Sequence, residues 1–478
     1  MLIHSKPRPL SGYEWLVLTL YGWLMRAARP LLRRKLARRA QTEPGYAHAV
    51  QARFGRYDAP AAQSTGMVLW VHAVSLGETR AAAVLVQRLR NRLPGVCLLL
   101  THSTATGWTE GQRLLQPGDR QTWLPWDDPW SVRRFLVHHR PAVGVLMETE
   151  IWPTLMRQAD QAGIPMVLAN ARLNERSTRG AHQLAWLSRP AYAALTVTGA
   201  QTAADAERLR QVGALDPVVW GNLKFDARPD ATQQHKAHSW RQRLGRPVVL
   251  LASSRDGEES DFYKEICGLS VGNKKNIAIN KFVFLIVPRH PQRFDAVVQA
   301  LEKEGAKVAR RAEWGAMLEA HGAAVAEPVA DLAGLTLWLG DSLGEMALYA
   351  SLADVALLGG SFQPLGGQNL IELAACGCTV VVGPHTFNFA DATEQALQAG
   401  VAHRVPDMCS GVKLACDLLS QAENPHAGMT SARQLASAWA QSHQGAAERA
   451  ADAVVTCLEE GGHPPGSQSQ PVSVPPGC

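Results

Sequence analysis

MVLWVHAVSLGETRAAAVLVQRL, residues 67–89, decides how this chain is read. Its first seven residues make a nearly unbroken apolar run of strand length, and the residues after Ser75 carry Ala, Val and Leu at helical spacing. A strand buried on both faces that runs straight into a helix is the unit of a parallel sheet covered on both sides. Glu78 stands at the turn between the two. It is either a first-turn acid, worth ~0.3–1 kcal/mol against the helix dipole, or a base at the rim of a ligand crevice. Spacing alone does not choose between them.

The same rhythm runs outward from this stretch. VCLLLTH (96–102), AVGVLME (142–148), PMVLANA (165–171), ALTVTGA (194–200) and VVWGN (218–222) are further strands separated by helical patterns. DARPDATQQH (226–235) reads as a linker, after which the pattern restarts with VVLLAS (248–253), FVFLIVP (282–288), LTLWLG (335–340), VALLGG (355–360) and TVVVG (379–383). The expectation is two Rossmann-like, doubly wound α/β domains facing each other across a cleft, one over 41–225 and the other over 226–460. Residues 1–40 precede them, and a Gly/Pro/Ser-rich tail, 461–478, is expected to be disordered. KEICGLSVGNKKNIAINK (264–281) holds four of the eleven lysines, shows no clear period and reads as a surface insertion.

The chain's 478 residues and 46% apolar content suit two globular domains rather than a disordered or fibrous chain. Eight scattered cysteines fit reduced thiols, and Cys376-Gly377-Cys378 has no second Cys/His cluster to complete a zinc site. The net charge of +6 is modest, but its placement is telling. Arg26, Arg29, Arg33, Arg34, Lys35, Arg38 and Arg39 follow YEWLVLTLYGWLM (13–25) with no acid among them. The apolar run is short of the ~20 residues that span a bilayer, and its Tyr and Trp residues are of the interfacial type. The expected structure is a membrane-associating helix whose basic flank meets anionic lipid at the membrane surface. The alternative is an amphipathic helix packed on the protein's own core.

Stock motifs for dinucleotides, P-loop phosphates and zinc proteases are absent. Strand-end loops carry the chemistry instead, where open α/β sheets bind ligands. METEIWP (147–153) offers Glu148 and Glu150; NARLNERS (170–177) and GNLKFD (221–226) offer cations, Lys224 among them. VPRHPQRF (287–294) offers Arg289, a residue type suited to phosphate. GDSLGEM (340–346) and GGSFQPLGGQNLIELAACG (359–377) add a glycine turn leading to a helix near Asn369, with Glu372 one turn in, an arrangement suited to phosphate and ribose. Solvated acids and edge charges remain the plain alternative at each loop. Together the loops suggest group transfer from a nucleotide-activated donor to a membrane-embedded acceptor.

HAVSLGE, METEIWP, NARLNERS, GNLKFD, VPRHPQRF, GDSLGEM, GGSFQPLGGQN and GPHTFNF occur in an order and spacing that resemble the 3-deoxy-D-manno-octulosonic acid (Kdo) transferases. The resemblance implies a glycosyltransferase of GT-B architecture. It would move Kdo from CMP-Kdo to the tetraacylated lipid A precursor of lipopolysaccharide, with inversion and without a metal or separate cofactor. Its implied place is the cytoplasmic face of the inner membrane, with no nucleic acid as partner. By the same resemblance Glu78 is the general base, and Glu148 and Lys224 stabilise the transition state. Pro288, Arg289, Leu343, Gly344, Glu345, Asn369, Leu370, Ile371 and Glu372 contact CMP. Gln292, Gln368 and the run NLIELAA depart from the family's usual pattern. A sugar-nucleotide epimerase of similar architecture, or a nucleotide-binding module without activity, are the rival readings.

Overall fold

The computed structural model describes residues 11–58, 66–272, 279–320, 336–420 and 425–461. The chain divides into two compact units, Met1–Asp226 with Gln444–Cys478, and Ala227–His443. Each contains a parallel seven-stranded sheet.

In the first unit the strands are β1 (Val68–His72), β2 (Cys97–His102), β3 (Arg120–Trp123), β4 (Val143–Met147), β5 (Met166–Ala171), β6 (Val197–Ala200) and β7 (Val218–Val219). Their order is β3-β2-β1-β4-β5-β6-β7, the Rossmann order with one added edge strand. Alternate β1 residues serve opposite faces. Leu69 and Val71 pack beneath the helix Leu76–Arg92, while Val68 and Trp70 pack with Leu99 and Phe135 on the other side. The order reverses beside β1, between its neighbours β2 and β4, and that switch point places the crevice at the carboxyl ends of β1 and β4.

The second unit holds β8 (Val248–Ser254), β9 (Val283–Pro288), β10 (Lys307–Ala309), β11 (Thr336–Leu339), β12 (Val355–Leu358), β13 (Thr379–Val382) and β14 (Ala402–Arg404). Their order is β10-β11-β9-β8-β12-β13-β14. With β10 set aside as an edge addition, this is again the Rossmann order.

Several expectations change. The sequence placed 226–460 in one domain, but the last helix, Ala446–Glu460, closes the core of the first unit with Ala447, Ala450, Ala451, Val454 and Leu458. Asp226 fixes its start, accepting from the amides of Gly445 (2.5 Å) and Ala447 (2.9 Å). The second half of the supposed linker opens a helix, Ala231–Leu244, because the Asp230 side chain caps it by accepting from the Gln233 amide. Strands β3, β10 and β14 were not foreseen. They are three or four residues long, all three lie at sheet edges, and all carry charged residues that hide an apolar run. VVWGN contributes only two strand residues, and Trp220 turns into the core instead, against Gly199, where even a Cβ would fall 1.7 Å from its ring. Within the lysine-rich stretch, residues up to Gly272 belong to the helix Glu258–Gly272. Residues 273–278 lie outside the described residues, as does the tail from 462.

At the N-terminus two helices, Gly12–Ala27 and Arg29–Thr42, lie on the first unit. The first is docked by one face: Gly22 sits against Pro129, Tyr21 hydrogen-bonds Asp127, and Trp23 meets Trp130 edge-on at 5.3 Å. Arg29 is bound to Asp128 at 2.8 Å. Its outward stripe, Tyr13, Leu16, Leu20, Leu24 and, beyond it, Leu31, is apolar and exposed. No helix among the described residues is long and apolar enough to cross a membrane.

Candidate active site

The rim of the first unit is built from the ends of β1, β4, β5 and β7. After β1 the chain enters the helix Leu76–Arg92 at Ser75, whose hydroxyl accepts from the Glu78 amide at 3.4 Å. The Glu78 carboxylate reaches back, accepting from the Val74 amide (2.9 Å) and the Ser75 hydroxyl (3.0 Å). Ser75 caps the helix and Glu78 in its first turn reaches back to the amide before the cap, so the plain reading of Glu78 holds as local structure. Yet the carboxyl is no ordinary cap. Burial, then the nearby charge of Glu148, push its pKa up to about 7, against the opposing pull of the Val74 and Ser75 bonds. A half-buried acid with that proton affinity exchanges protons near neutral pH.

Glu148 follows β4 and holds φ +59°, a left-handed conformation rare for a residue with a side chain, while its amide donates to Ala169 at 3.0 Å. Such strain persists only where its surroundings over-determine it, and it gathers at functional sites. Glu150, two residues on, accepts from the Trp152 indole at 2.8 Å, and burial raises its pKa. Lys224 lies on the turn Leu223–Asp226. That turn is held by Asn170 at the end of β5, buried with φ +56°, whose side-chain oxygen accepts from the Leu223 amide at 3.0 Å. The three expected residues of this rim, Glu78, Glu148 and Lys224, thus stand on loops of one sheet end, with Glu148 close enough to raise the proton affinity of Glu78. Asn170 was missed; NARLNERS had drawn attention to its arginines, but the buried asparagine sets the loop.

In the second unit, Arg289 follows β9, its amide donating to Ser254 (3.1 Å) and its Nε to Gln368 (3.2 Å). That bond ties the VPRHP turn to the glycine turn across the strand ends. Gly366 and Gly367 have φ +85° and +72°, and a Cβ on Gly366 would fall 2.5 Å from Phe387, so glycine is required there. The helix that follows, Leu370–Ala375, is only six residues long, and the Asn369 side chain already accepts from the Ile371 amide at 3.2 Å. Glu372 is exposed, whereas Pro288, Leu370 and Ile371 are buried and offer a ligand only backbone. Leu343 is exposed on its turn, and Gly344 holds φ +80°. Glu345 is bound to Arg311 at 2.9 and 3.1 Å and to the Ser342 hydroxyl. These donors hold its pKa below the usual range against the opposing effect of burial. The pentapeptide Gly340–Gly344 also fits the G-x-S-x-G spacing of hydrolase serines, but Ser342 is engaged by Glu345 and Tyr349.

The loop after β8 was passed over by the sequence reading. Glu258 and Glu259 are buried there. Glu258 accepts from the amides of Arg255 (2.8 Å) and Gly360 (2.9 Å), and Glu259 is clamped by Arg293 at 2.8 and 2.9 Å. Its signal was present: SRDGEE stands directly after a strand, as every other loop of the site does. Among the described residues no cluster of three or more His, Cys, Asp or Glu is arranged to hold a metal.

Two Rossmann-ordered units, one rimmed by acids and a lysine and the other by a glycine turn and arginines, define a two-domain α/β enzyme of the sugar-nucleotide type. The fold is shared with UDP-GlcNAc 2-epimerase from Neisseria meningitidis, at TM-score 0.50 and 14% identity over 82% of this chain and 100% of that one, a likeness of fold alone. The family model for 3-deoxy-D-manno-octulosonic-acid transferase (kdotransferase) matches residues 48–227. The 3-deoxy-D-manno-octulosonic acid transferase of Bordetella pertussis is 43% identical over 91% of this chain and 98% of its own. That of Haemophilus influenzae is 30% identical over 78% and 83%. The chain belongs to the 3-deoxy-D-manno-octulosonic acid transferases and is a Kdo glycosyltransferase.

Proposed function

We propose that this enzyme transfers Kdo from CMP-Kdo to the tetraacylated lipid A precursor in lipopolysaccharide synthesis, inverting the anomeric centre, at the cytoplasmic face of the inner membrane. Glu78 takes the proton of the acceptor hydroxyl as that oxygen bonds to the anomeric carbon. The bond from that carbon to the CMP phosphate breaks, and CMP leaves with the electron pair. The observation that carries this role is a carboxyl of pKa about 7 at the carboxyl end of β1, beside Glu148. A base whose pKa matches ambient pH combines availability with driving force. Glu148 and Lys224 stabilise the charge that develops.

Arg289 and the backbone of the Gly366–Gly367 turn hold the CMP phosphate, Leu343, Gly344 and Asn369 line the nucleotide, and Glu372 takes the ribose hydroxyls. Pro288, Leu370 and Ile371 contribute through backbone, and Glu345 through its turn, since its carboxylate is committed to Arg311. No metal is needed where cationic and N–H groups meet the phosphate. The helix Gly12–Ala27 lies on the membrane by its outward apolar stripe, and the arginines that follow meet anionic lipid. The test is release of CMP from CMP-Kdo with and without the lipid precursor, for wild type and Glu78→Ala. Lipid-dependent release that vanishes in the variant is expected. Equal release in both proteins returns Glu78 to the role of a first-turn acid alone.

A further inference from the structure

Beside the acid rim of the first unit lies a cavity of about 150 Å³ that the proposed reaction does not use. Its walls come from the second N-terminal helix (Lys35, Arg39), the turns after it (Tyr46, Arg53), the loop after β3 (Trp126, Asp127) and the loop after β4 (Glu150, Trp152). We propose that this cavity is a binding site for a phosphate monoester on the lipid acceptor, with Arg53 at its base and Lys35 and Arg39 at its mouth. This rests on the reading of the acceptor as a glycolipid.

The two acids in the wall oppose this less than their number suggests, because burial favours the neutral form of each. Asp127 accepts from the amides of Thr154 (2.9 Å) and Leu155 (2.8 Å), capping the helix Pro153–Gln161, and burial raises its pKa to about 7. Glu150 is taken by the Trp152 indole. The cations are in a different state. Arg53 is 4% exposed, lies 4.0 Å over the Trp123 ring, and gives one Nη to the Ser103 carbonyl at 3.1 Å. Its Nε is buried with no acceptor, and so is the indole N–H of Trp126. A buried guanidinium with a spare donor is costly unless an anion answers it. Burial moves its pKa down only to about 10, so it stays charged at neutral pH. Lys35 and Arg39 are exposed, with Arg39 5.5 Å over the Tyr46 ring, and they add charge where a ligand enters. Buried donors below and cations above fit a dianionic tetrahedral group better than an acyl chain or a neutral sugar.

Position gives the site its use. Glu150 belongs both to the cavity wall and to the loop of Glu148. An acceptor anchored here by its phosphate presents a sugar hydroxyl toward the carboxyl ends of β1 and β4, and the docked helix Gly12–Ala27 holds the lipid surface alongside.

The experiment is co-flotation with neutral phosphatidylcholine vesicles carrying the lipid A precursor or the same lipid after phosphatase treatment. Wild type is expected to bind the phosphorylated lipid about tenfold or more tightly than the treated one, as one or two charge-assisted bonds supply. Lys35→Gln/Arg39→Gln and Arg53→Lys should each lose most of that preference. The first pair sits on the surface, so folding does not confound it. Equal preference in wild type and variants, or no preference in wild type, overturns the site. A loss as large with phosphatidylglycerol vesicles lacking the precursor also overturns it, in favour of a general membrane contact. Binding is read without turnover, so a wild type that shows the preference yet releases no CMP from CMP-Kdo leaves the pocket standing and refutes the transfer reading.

Discussion

The two units repeat one strand order but treat charge at their rims in opposite ways. In the first, carboxyls crowd together: Glu78 and Glu150 are pushed toward neutrality by burial, and Glu148 is held in a strained turn beside them. In the second, three acids of the strand-end loops are tied to donors, Glu259 to Arg293, Glu345 to Arg311 and Glu258 to two amides. The first arrangement keeps a proton mobile. The second fixes loops in place so that Arg289 and the glycine turn present a rigid surface. On the proposed function, one Rossmann scaffold supports chemistry at one rim and holding at the other, and the ion pairing of the strand-end acids separates the two roles.

Several measurements would break or sharpen that contrast. Glu78→Gln keeps the size, exchanges one of the two accepting oxygens for a donor and removes the base, so the Kdo transfer rate should fall roughly 10²–10⁴-fold. In wild type the rate should rise with pH through about 7 and then level off, because the active form is the carboxylate. A near wild-type rate in Glu78→Gln, or a flat profile between pH 6 and 8, would falsify the contrast. Stability moves the other way. The Glu78 pKa is raised on folding, so the folded state binds more protons than the unfolded chain between pH 4.5 and about 7. Its contribution is lost as pH rises across that window. Glu78→Gln should thus gain stability over wild type at pH 8, by no more than ~3 kcal/mol, and little at pH 4, as read by urea unfolding.

In the second unit the large effect should be structural. Arg293→Met leaves the buried Glu259 carboxylate without its clamp and should cost ~3–5 kcal/mol. Guanidinium unfolding of the variant and the wild type at pH 7 reads that loss. Gly366→Ala meets both a left-handed backbone and the Phe387 ring, so about 1–3 kcal/mol is expected, with weaker CMP binding by calorimetry. The smallest change in stability belongs to the outward stripe of the first helix. Leu20→Ser/Leu24→Ser should shift unfolding by less than ~0.5 kcal/mol while reducing vesicle binding several-fold. A large loss of stability instead would mean that the stripe is covered by the protein itself.

Much of this was legible in the chain. Continuous apolar runs such as MVLWVHA and FVFLIVP identify strands buried on both faces, because only such strands need no polar alternation. Motifs placed directly after them mark the rims. Short edge strands such as Arg120–Trp123 were not legible, since one side of them meets solvent and their apolar signal is diluted. The helix after Asp230 was hidden by its polar composition, and its capping residue was the available clue.

The sequence by itself determined the fold class, the family and most of the strand-end loops at the rims, because these depend on local periodicity and on residue types at fixed distances along the chain. Three things were decided only in three dimensions. The last helix returns to the first unit, because Asp226 and a cluster of small alanines meet there across more than two hundred residues. The plain reading of Glu78 and the chemical one are compatible, since a single carboxylate sits in the first turn of its helix while burial and Glu148 raise its proton affinity. The unanswered donors of Arg53 and Trp126 come together beside that rim. Burial and the field of distant charges are properties of the packed molecule, and no spacing along the chain encodes them.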